Sequence, residues 1–115
     1  MHTVVEALLS RISVRGQSVP YAHIRYTGKA KLYITYQFID EEPVLCSSDK
    51  PDVSVVKLDV DIFSKSNGDL IAARNELITA FIGADWIWSN LSPEMYEDDT
   101  GYIHRTLTFE KERMI

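Results

Sequence analysis

The stretch VVKLDVDIFSK, residues 55–65, decides the fold of this 115-residue chain. From Val56 to Ile62, apolar residues stand at every second position, with charged residues between them. Because successive side chains of a β-strand point to opposite faces, this pattern predicts a strand with one buried face and one wet face. Sheets with one wet face are common only among antiparallel sheets. The residues predicted to point inward are Val56, Leu58, Val60 and Ile62, and those predicted to face water are Lys57, Asp59 and Asp61.

The segments around this stretch show a similar alternation. KLYITYQFI, residues 31–39, places Tyr33 on the face opposite Tyr36. Pro20 precedes a short strand over residues 21–26, which we predict at the edge of the sheet because proline cannot donate a ladder hydrogen bond. The two further segments predicted as strands are residues 85–93 and residues 102–113.

Two segments have the apolar spacing of amphipathic helices. Residues 4–14 form the first, with Thr3 as its predicted N-cap and Glu6 in the position of a capping box. The second follows Ser66 or Asn67, either of which can cap it. Its apolar stripe, which ends just before Gly83, comprises Leu70, Ala73, Leu77, Ile78 and Phe81.

The elements follow one another in the order α-β-β-β-α-β-β, which predicts an α+β fold of two layers. We expect a mainly antiparallel sheet with both helices packed on its apolar face. The length fits a single domain over residues 1–115, and no repeat or linker interrupts it.

The segment DEEPVLCSSDKPD, residues 40–52, separates two predicted strands and carries five acids, one lysine and two prolines. Hairpin loops usually need about two to five residues, and structureless loops beyond about 12 residues are uncommon and often functional. We therefore predict a long loop that orders on contact with another subunit. Its predicted interface residues are Glu41, Glu42, Val44, Leu45, Asp49 and Lys50.

The composition limits the kinds of partner. Twelve basic and seventeen acidic residues give a net charge of −5, which disfavours a binding surface for nucleic acid or for an anionic membrane. No apolar run approaches the roughly 20 residues of a membrane span, and the first residues lack a signal core. These features predict a cytosolic chain with protein partners. The single cysteine, Cys46, allows neither an intrachain disulfide nor a structural zinc site of paired thiolates.

The sequence carries no motif that indicates catalysis or cofactor binding. It has no nucleophile elbow, no glycine-rich phosphate loop and no zinc-protease helix. The histidines His2, His23 and His104 are expected to lie far apart, and YEDDTG, residues 96–101, indicates a solvated acidic turn rather than a calcium loop. We therefore predict a protein that is not an enzyme and binds no cofactor or metal. The rival is a small enzyme or ligand-binding domain that uses His104 with acids such as Glu94.

Aromatic residues are candidates for a protein contact. Trp86 and Trp88 are two residues apart, so in a strand they would share one face. On the core face they would be packing residues, whereas on the open face they would form an interface, where aromatic residues are enriched. The same two alternatives, core packing or an interface, apply to Tyr33. We predict an interface that includes Tyr33, Trp86 and Trp88.

Three features stand out between residues 20 and 113. They are a strand ending in TYQFI before the acidic segment, the strand VKLDVDIFSK that opens into a helix, and an acidic turn with TGYIH that leads into a final strand. In their order and residues they resemble the small tail-completion, or tail-terminator, proteins of long-tailed bacteriophages and of prophages of Gram-positive bacteria. None of the three is a catalytic signature.

The resemblance implies a structural part that forms a ring, typically a hexamer, at the head-proximal end of the tail tube. There it would stop growth of the tail-tube protein and bind the head-tail connector protein, first in the host cytoplasm and then in the virion tail. The isolated chain could still be a monomer. The nearest alternative is a head-tail connector or stopper protein, and a regulatory binding module is a further one, although the acidic charge disfavours DNA as its target.

In such a ring, DNA passes through the channel without specific binding. Carboxylates that line a channel repel phosphates and prevent adhesion of the DNA. An ordinary solvated face is the alternative explanation for the acids of this chain. The candidate channel acids are Asp59, Asp61, Glu97, Asp98 and Asp99.

Overall fold

The computed structural model of the chain describes residues 1–45 and 51–114. The predictions for Cys46, Asp49 and Lys50 lie outside these residues. In order, the first described elements are α1 (His2–Leu9), β1 (Ser13–Val14), β2 (Gln17–Ser18) and β3 (Tyr21–His23). They are followed by β4 (Leu32–Leu45), β5 (Pro51–Ser64), α2 (Asn67–Gly83), β6 (Ile87–Leu91), β7 (Met95–Tyr96) and β8 (Ile103–Met114).

The main sheet has the strand order β3-β4-β5-β8-β6, and β7 pairs with β8 on the same side as β6. The pairs β4–β5, β5–β8, β6–β8 and β7–β8 are antiparallel, whereas β3 is parallel to β4. Residues 24–31 make the parallel pair possible, because they return the chain to the start of β4. The predicted mixed α+β fold with two helices is confirmed.

The central strands bury one face of the sheet beneath both helices. The even-numbered residues 56–62 of β5 are at most 2% exposed, so the predicted inward face of this strand is confirmed. The buried residues of the helices are Val5, Leu8 and Leu9 in α1 and Leu70, Ala73, Leu77 and Phe81 in α2. Full burial of one large aliphatic side chain contributes about 1.5–3 kcal/mol, so this face supplies most of the stability of the domain.

The first helix is shorter than predicted. It spans His2–Leu9, and no side chain caps its N-terminus, so the predicted cap at Thr3 is wrong. The following residues enter the β1–β2 hairpin, which turns through Arg15 and Gly16 with φ angles of 54° and 78°. Such left-handed backbone cannot continue a helix, and it suits the tight turn of a two-residue hairpin.

The second helix begins and ends as predicted. The Ser66 hydroxyl accepts a hydrogen bond from the backbone N–H of Asp69 at 3.4 Å, and the helix ends at Gly83. The Asp69 carboxylate also lies 3.1 Å from the guanidinium of Arg15, which ties the start of this helix to the β1–β2 hairpin. Neither helix in the described part of the chain is long and apolar enough to cross a membrane.

The predicted long loop over residues 40–52 is largely strand, so that prediction is wrong for the described residues. β4 continues to Leu45 and β5 begins at Pro51, with a bulge between Phe38 and Asp40. Both strands can accommodate their prolines. Pro51 is the first residue of β5, and Pro43 lies in a part of β4 that is an edge strand. Proline is tolerated at both kinds of position. Together with the end of β8, these segments form a three-stranded arm, defined as residues 40–45, 51–57 and 110–114.

Candidate interaction surface

A row of aromatic side chains crosses the sheet face opposite the helices. Tyr33, Phe63 and His104 are direct neighbours on β4, β5 and β8. The Tyr33 and Phe63 rings stack with centroids 4.7 Å apart, and the Phe63 and His104 rings at 4.2 Å. Tyr26 extends the row by stacking on Tyr33 at 4.4 Å. Tyr33 therefore lies on the opposite face from the buried Tyr36, as the alternation predicted.

Tyr102 closes this row at the end of the sheet. Its ring meets that of Tyr33 edge-on at 5.3 Å, and its hydroxyl donates a hydrogen bond to the Ala30 carbonyl at 2.6 Å. The Lys65 ammonium lies 5.0 Å from the centre of the same ring. Burial in this cluster, followed by the effect of Tyr102, raises the pKa of the Tyr33 hydroxyl. The row is thus a packed surface with fixed rings.

A polar row lies beside the aromatic row. One carboxylate oxygen of Asp61 is 3.0 Å from His104 Nε2 and accepts a hydrogen bond from Thr106 at 2.5 Å. The other oxygen accepts from Thr35 at 3.5 Å. One row further on, Asp59 accepts from Thr108 at 2.7 Å. The two candidate channel acids of β5 therefore lie on the open face and are hydrogen-bonded to their neighbours.

The rival prediction of an enzyme combined His104 with acids such as Glu94. In the structure these two side chains have different partners. Glu94 lies 3.7 Å from Arg105, whereas His104 faces Asp61. Thr106 donates to the same carboxylate oxygen, and its hydroxyl also lies 3.4 Å from His104 Nε2, so the three side chains form one hydrogen-bonded group. Among the described residues, no three His, Cys, Asp or Glu side chains converge in a way that could hold a metal ion.

Exposed apolar side chains lie at both edges of the sheet. Ile24 follows β3 at one edge and is 62% exposed. At the other edge the exposed apolar residues belong to β6 and β7. They are Ile87, Trp88, Met95 and Tyr96. Where exposed apolar residues occur together, they mark a surface that another protein covers.

The two tryptophans do not share a face, so that prediction is wrong. Trp86 precedes β6 and is 2% exposed, packed edge-on against Phe81. Trp88 lies within β6 and is 40% exposed. The alternation does not apply to Trp86, because β6 begins only at Ile87, after a turn in which Asp85 has a φ of 68°. Of the two, only Trp88 is available to a partner.

The remaining predicted interface residues that the structure describes lie in the arm, and the remaining candidate channel acids lie in a separate turn. Glu41 and Glu42 are exposed, and the Glu41 carboxylate accepts from Ser54 and lies 3.4 Å from Arg113. Val44 and Leu45 belong to β4. The acids Glu97, Asp98 and Asp99 form the turn between β7 and β8, in which Glu97 accepts from Thr100 at 3.2 Å. The predicted residues therefore lie in several separate places: on the open face, at β6, in the arm and in this turn, and Trp86 is buried.

The structure brings together a cluster that the sequence did not predict. The rings of His2 and His23, expected to be far apart, lie 4.5 Å apart because β3 runs beside β4 beneath the start of α1. The Tyr36 hydroxyl donates to Glu6 at 2.6 Å and lies 3.1 Å from His2 Nδ1. Glu6 therefore binds the sheet instead of completing a capping box. Burial, and then the hydrogen bond to Glu6, raise the pKa of the Tyr36 hydroxyl.

Removal of this hydroxyl is expected to weaken the attachment of α1. Tyr36→Phe leaves Glu6 and His2 without their partner, and we expect the free energy of unfolding at neutral pH to fall by about 1.5–3 kcal/mol, as for a hydrogen bond to a charged group. The raised pKa also predicts that the wild-type protein loses stability as the pH rises above about 10, where only the unfolded chain ionises at this tyrosine. Urea titrations from pH 7 to 11 should show a shallower decline in Tyr36→Phe.

The backbone at Ile24 is strained. This β-branched residue has a φ of 69°, and a hydrogen bond from its N–H to the Tyr36 carbonyl at 2.8 Å holds it there. Left-handed backbone costs a non-glycine residue about 1–2 kcal/mol. The fold thus holds an exposed isoleucine in an unfavourable conformation.

Ile24→Gly is therefore expected to stabilise the isolated chain. Relief of strain exceeds the entropy that glycine adds to the unfolded state, so we expect a net gain of about 0.5–1 kcal/mol in the free energy of unfolding. Ile24→Ala is the matched control, because it removes the same apolar group but keeps the Cβ that causes the strain. Equal effects of the two substitutions in urea unfolding would show that no strain is stored there.

No family model matches this sequence, and no curated protein matches it.

Proposed function

We propose that this chain is a structural tail-completion protein of a long-tailed bacteriophage or prophage, the terminator that caps the tail tube and binds it to the head connector. The resemblance of three segments to tail-terminator proteins is the starting point of this proposal. The open sheet face and the two apolar sheet edges support it, since such a protein works through the surfaces it offers to other proteins.

The observation that carries the proposal is the exposure of apolar side chains at both edges of one sheet. A subunit of a closed ring contacts its two neighbours through two different surfaces. The β3 edge offers Ile24, and the opposite edge offers Trp88 and Tyr96. An enzyme would need instead a cleft where ionisable groups converge, and His104 is engaged by Asp61 on an open face.

The acids of the open face fit the passage of DNA in this proposal. In the arm, Asp40 and Glu110 flank Lys57 in one cross-strand row, and Glu42 and Glu112 flank Val55 in another. These four acids lie on the same face of the sheet as Asp59. We place this face toward the channel, where its carboxylates repel phosphates and keep the DNA from adhering.

Exchange of Glu42 and Glu112 for glutamine tests this orientation. We expect slower DNA ejection from particles that carry the double variant, because two repulsive charges per subunit are lost. Glu76→Gln on the exposed surface of α2 is the matched control and should leave ejection unchanged. Ejection at the wild-type rate from the double variant would place the arm acids away from the DNA.

Binding to tail tubes tests the function itself. Purified chain added to tubes assembled from the tail-tube protein of the same phage is expected to bind at one tube end and to stop further growth. Tyr96→Ser should weaken this capping, whereas Ile82→Ser, which removes an exposed apolar residue from α2, should not. Binding to the portal or adaptor protein without binding to tubes would favour the connector function over the terminator function.

A further inference from the structure

A cavity of about 450 Å³ lies where the chain before β3 separates from β4. β3 pairs with residues 34–36 of β4, and this pairing begins with a hydrogen bond from the Ile34 N–H to the Pro20 carbonyl at 2.9 Å. Before Pro20 the chain leaves β4, because β2 pairs with β1 instead. The cavity lies between these diverging segments, with residues 30–32 as its other wall. Its volume is in the range of ligand pockets, about 300–1,000 Å³.

The β4 wall of the cavity has a backbone edge that the pairing with β3 does not complete. The Ile34 N–H donates to Pro20, and the Tyr36 carbonyl accepts from the Ile24 N–H at 2.8 Å, so alternate residues of β4 direct their backbone groups toward β3. Leu32 comes two residues before Ile34 and lines the cavity. The N–H that would continue the ladder to the Leu32 carbonyl is that of Pro20, and proline has none. Leu32 therefore offers backbone groups to an extended chain that enters the cavity.

Both walls of the cavity are held by bonds to other parts of the domain. The Ala30 carbonyl accepts a hydrogen bond from the Tyr102 hydroxyl at 2.6 Å. On the opposite wall, the Val19 N–H donates to the Ile12 carbonyl at 3.1 Å. The cavity is therefore formed before a ligand binds, which lowers the entropic cost of binding.

The lining of the cavity combines aliphatic side chains with two cations. Val14 and Val19 are 9% and 4% exposed and form an apolar wall. The cations are Arg15 and Lys31. Arg15 lies 3.1 Å from Asp69, the one acid among the described lining residues, whereas Lys31 forms no salt bridge with a described residue. Two cations against one acid leave one positive charge, which favours a carboxylate over an amine.

We infer that this cavity binds the C-terminal end of another protein, in an extended conformation and with an aliphatic last residue. The backbone of that end bonds to Leu32, its last side chain contacts Val14 and Val19, and its carboxylate pairs with Lys31. A chain end fits better than an internal segment, because the pairing of β3 with β4 closes the cavity at Pro20. This inference goes beyond the proposed function and does not depend on it.

Binding of short peptides to the isolated chain tests the inference. The probe is the acetylated peptide Ser-Thr-Val-Ile with a free carboxylate, and its control is the same peptide with an amide end. In ¹⁵N-labelled protein we expect saturable shifts of the Lys31 and Leu32 amide signals, with the amide-ended peptide binding at least about tenfold more weakly. A third peptide has a free amine and an amide end. Equal binding of acid and amide, tighter binding of the amine peptide, or no saturable shift of these two signals up to about 10 mM peptide overturns the inference.

A charge substitution tests the role of Lys31 in the same experiment. Lys31→Gln is expected to weaken binding of the acid peptide by about fivefold to tenfold and to leave the amide peptide unchanged, because only the acid carries the charge that Lys31 pairs with. Lys29→Gln is the matched control, since Lys29 is exposed but does not line the cavity. Equal effects of the two substitutions, or no effect of either, overturn the assignment of the carboxylate to Lys31.

Discussion

Phe109→Ala is expected to lower the free energy of unfolding by about 3–5 kcal/mol, the usual cost of removing a buried phenylalanine ring. Phe109 is fully buried on β8, and its ring stacks on that of Phe81 from α2 at 4.5 Å. The substitution removes apolar surface and leaves a cavity between the sheet and the helix, where the tightly packed layers cannot collapse. Domains of this kind have only about 5–15 kcal/mol of stability in total, so the variant should be close to unfolding.

Phe63→Ala is the matched control for this prediction. Phe63 is the same residue type in the neighbouring strand, but it points to the open face and is only partly buried. We expect it to cost less than half as much in urea unfolding of the isolated chain. Equal losses from the two substitutions would contradict the assignment of one covered face and one open face to this sheet.

Asp61→Ala is expected to lower the free energy of unfolding by about 2–3 kcal/mol, although no apolar packing is lost. The substitution leaves Thr35, Thr106 and His104 without the carboxylate that they share on a mostly buried part of the open face. Asp98→Ala is the control, because Asp98 lies exposed in a turn and its removal should change the stability by less than about 0.5 kcal/mol.

The comparison of Asp61→Ala with Asp98→Ala distinguishes two explanations for the acidic residues. If both substitutions have small effects on urea unfolding, the acids of β5 are solvated and interchangeable, and the polar row does not organise the open face. A large effect at Asp61 alone means that this face has a fixed structure before any partner binds. A fixed surface binds with a smaller entropic cost than one that must be ordered.

The sequence was sufficient for the central elements of the fold. Residues 56–62 alternate strictly, and the stripe of α2 follows helical spacing, so each pattern specifies its own secondary structure and buried face. The arm was missed because its acids and prolines are typical of loops. Edge strands accept the same residues, since charge and proline on an exposed edge prevent unwanted pairing.

The candidate surface was only partly predictable. The alternation in β4 placed Tyr33 on the open face, but its stacking on Phe63 and His104 depends on the register of three strands, which no single strand contains. The contact of His2 with His23 depends likewise on the parallel pairing of β3 with β4. Long-range pairing of this kind lies outside the reach of local periodicity.

We propose that this chain acts by assembling with other proteins and ends the tail tube. The most direct measurement is electron microscopy of tails produced by the phage or prophage after deletion of the gene for this chain, with tail length and head attachment scored for each particle. We expect overlong tails or tails without heads, restored by the wild-type chain supplied in trans. Tails of normal length joined to filled heads in the deletion strain would contradict it.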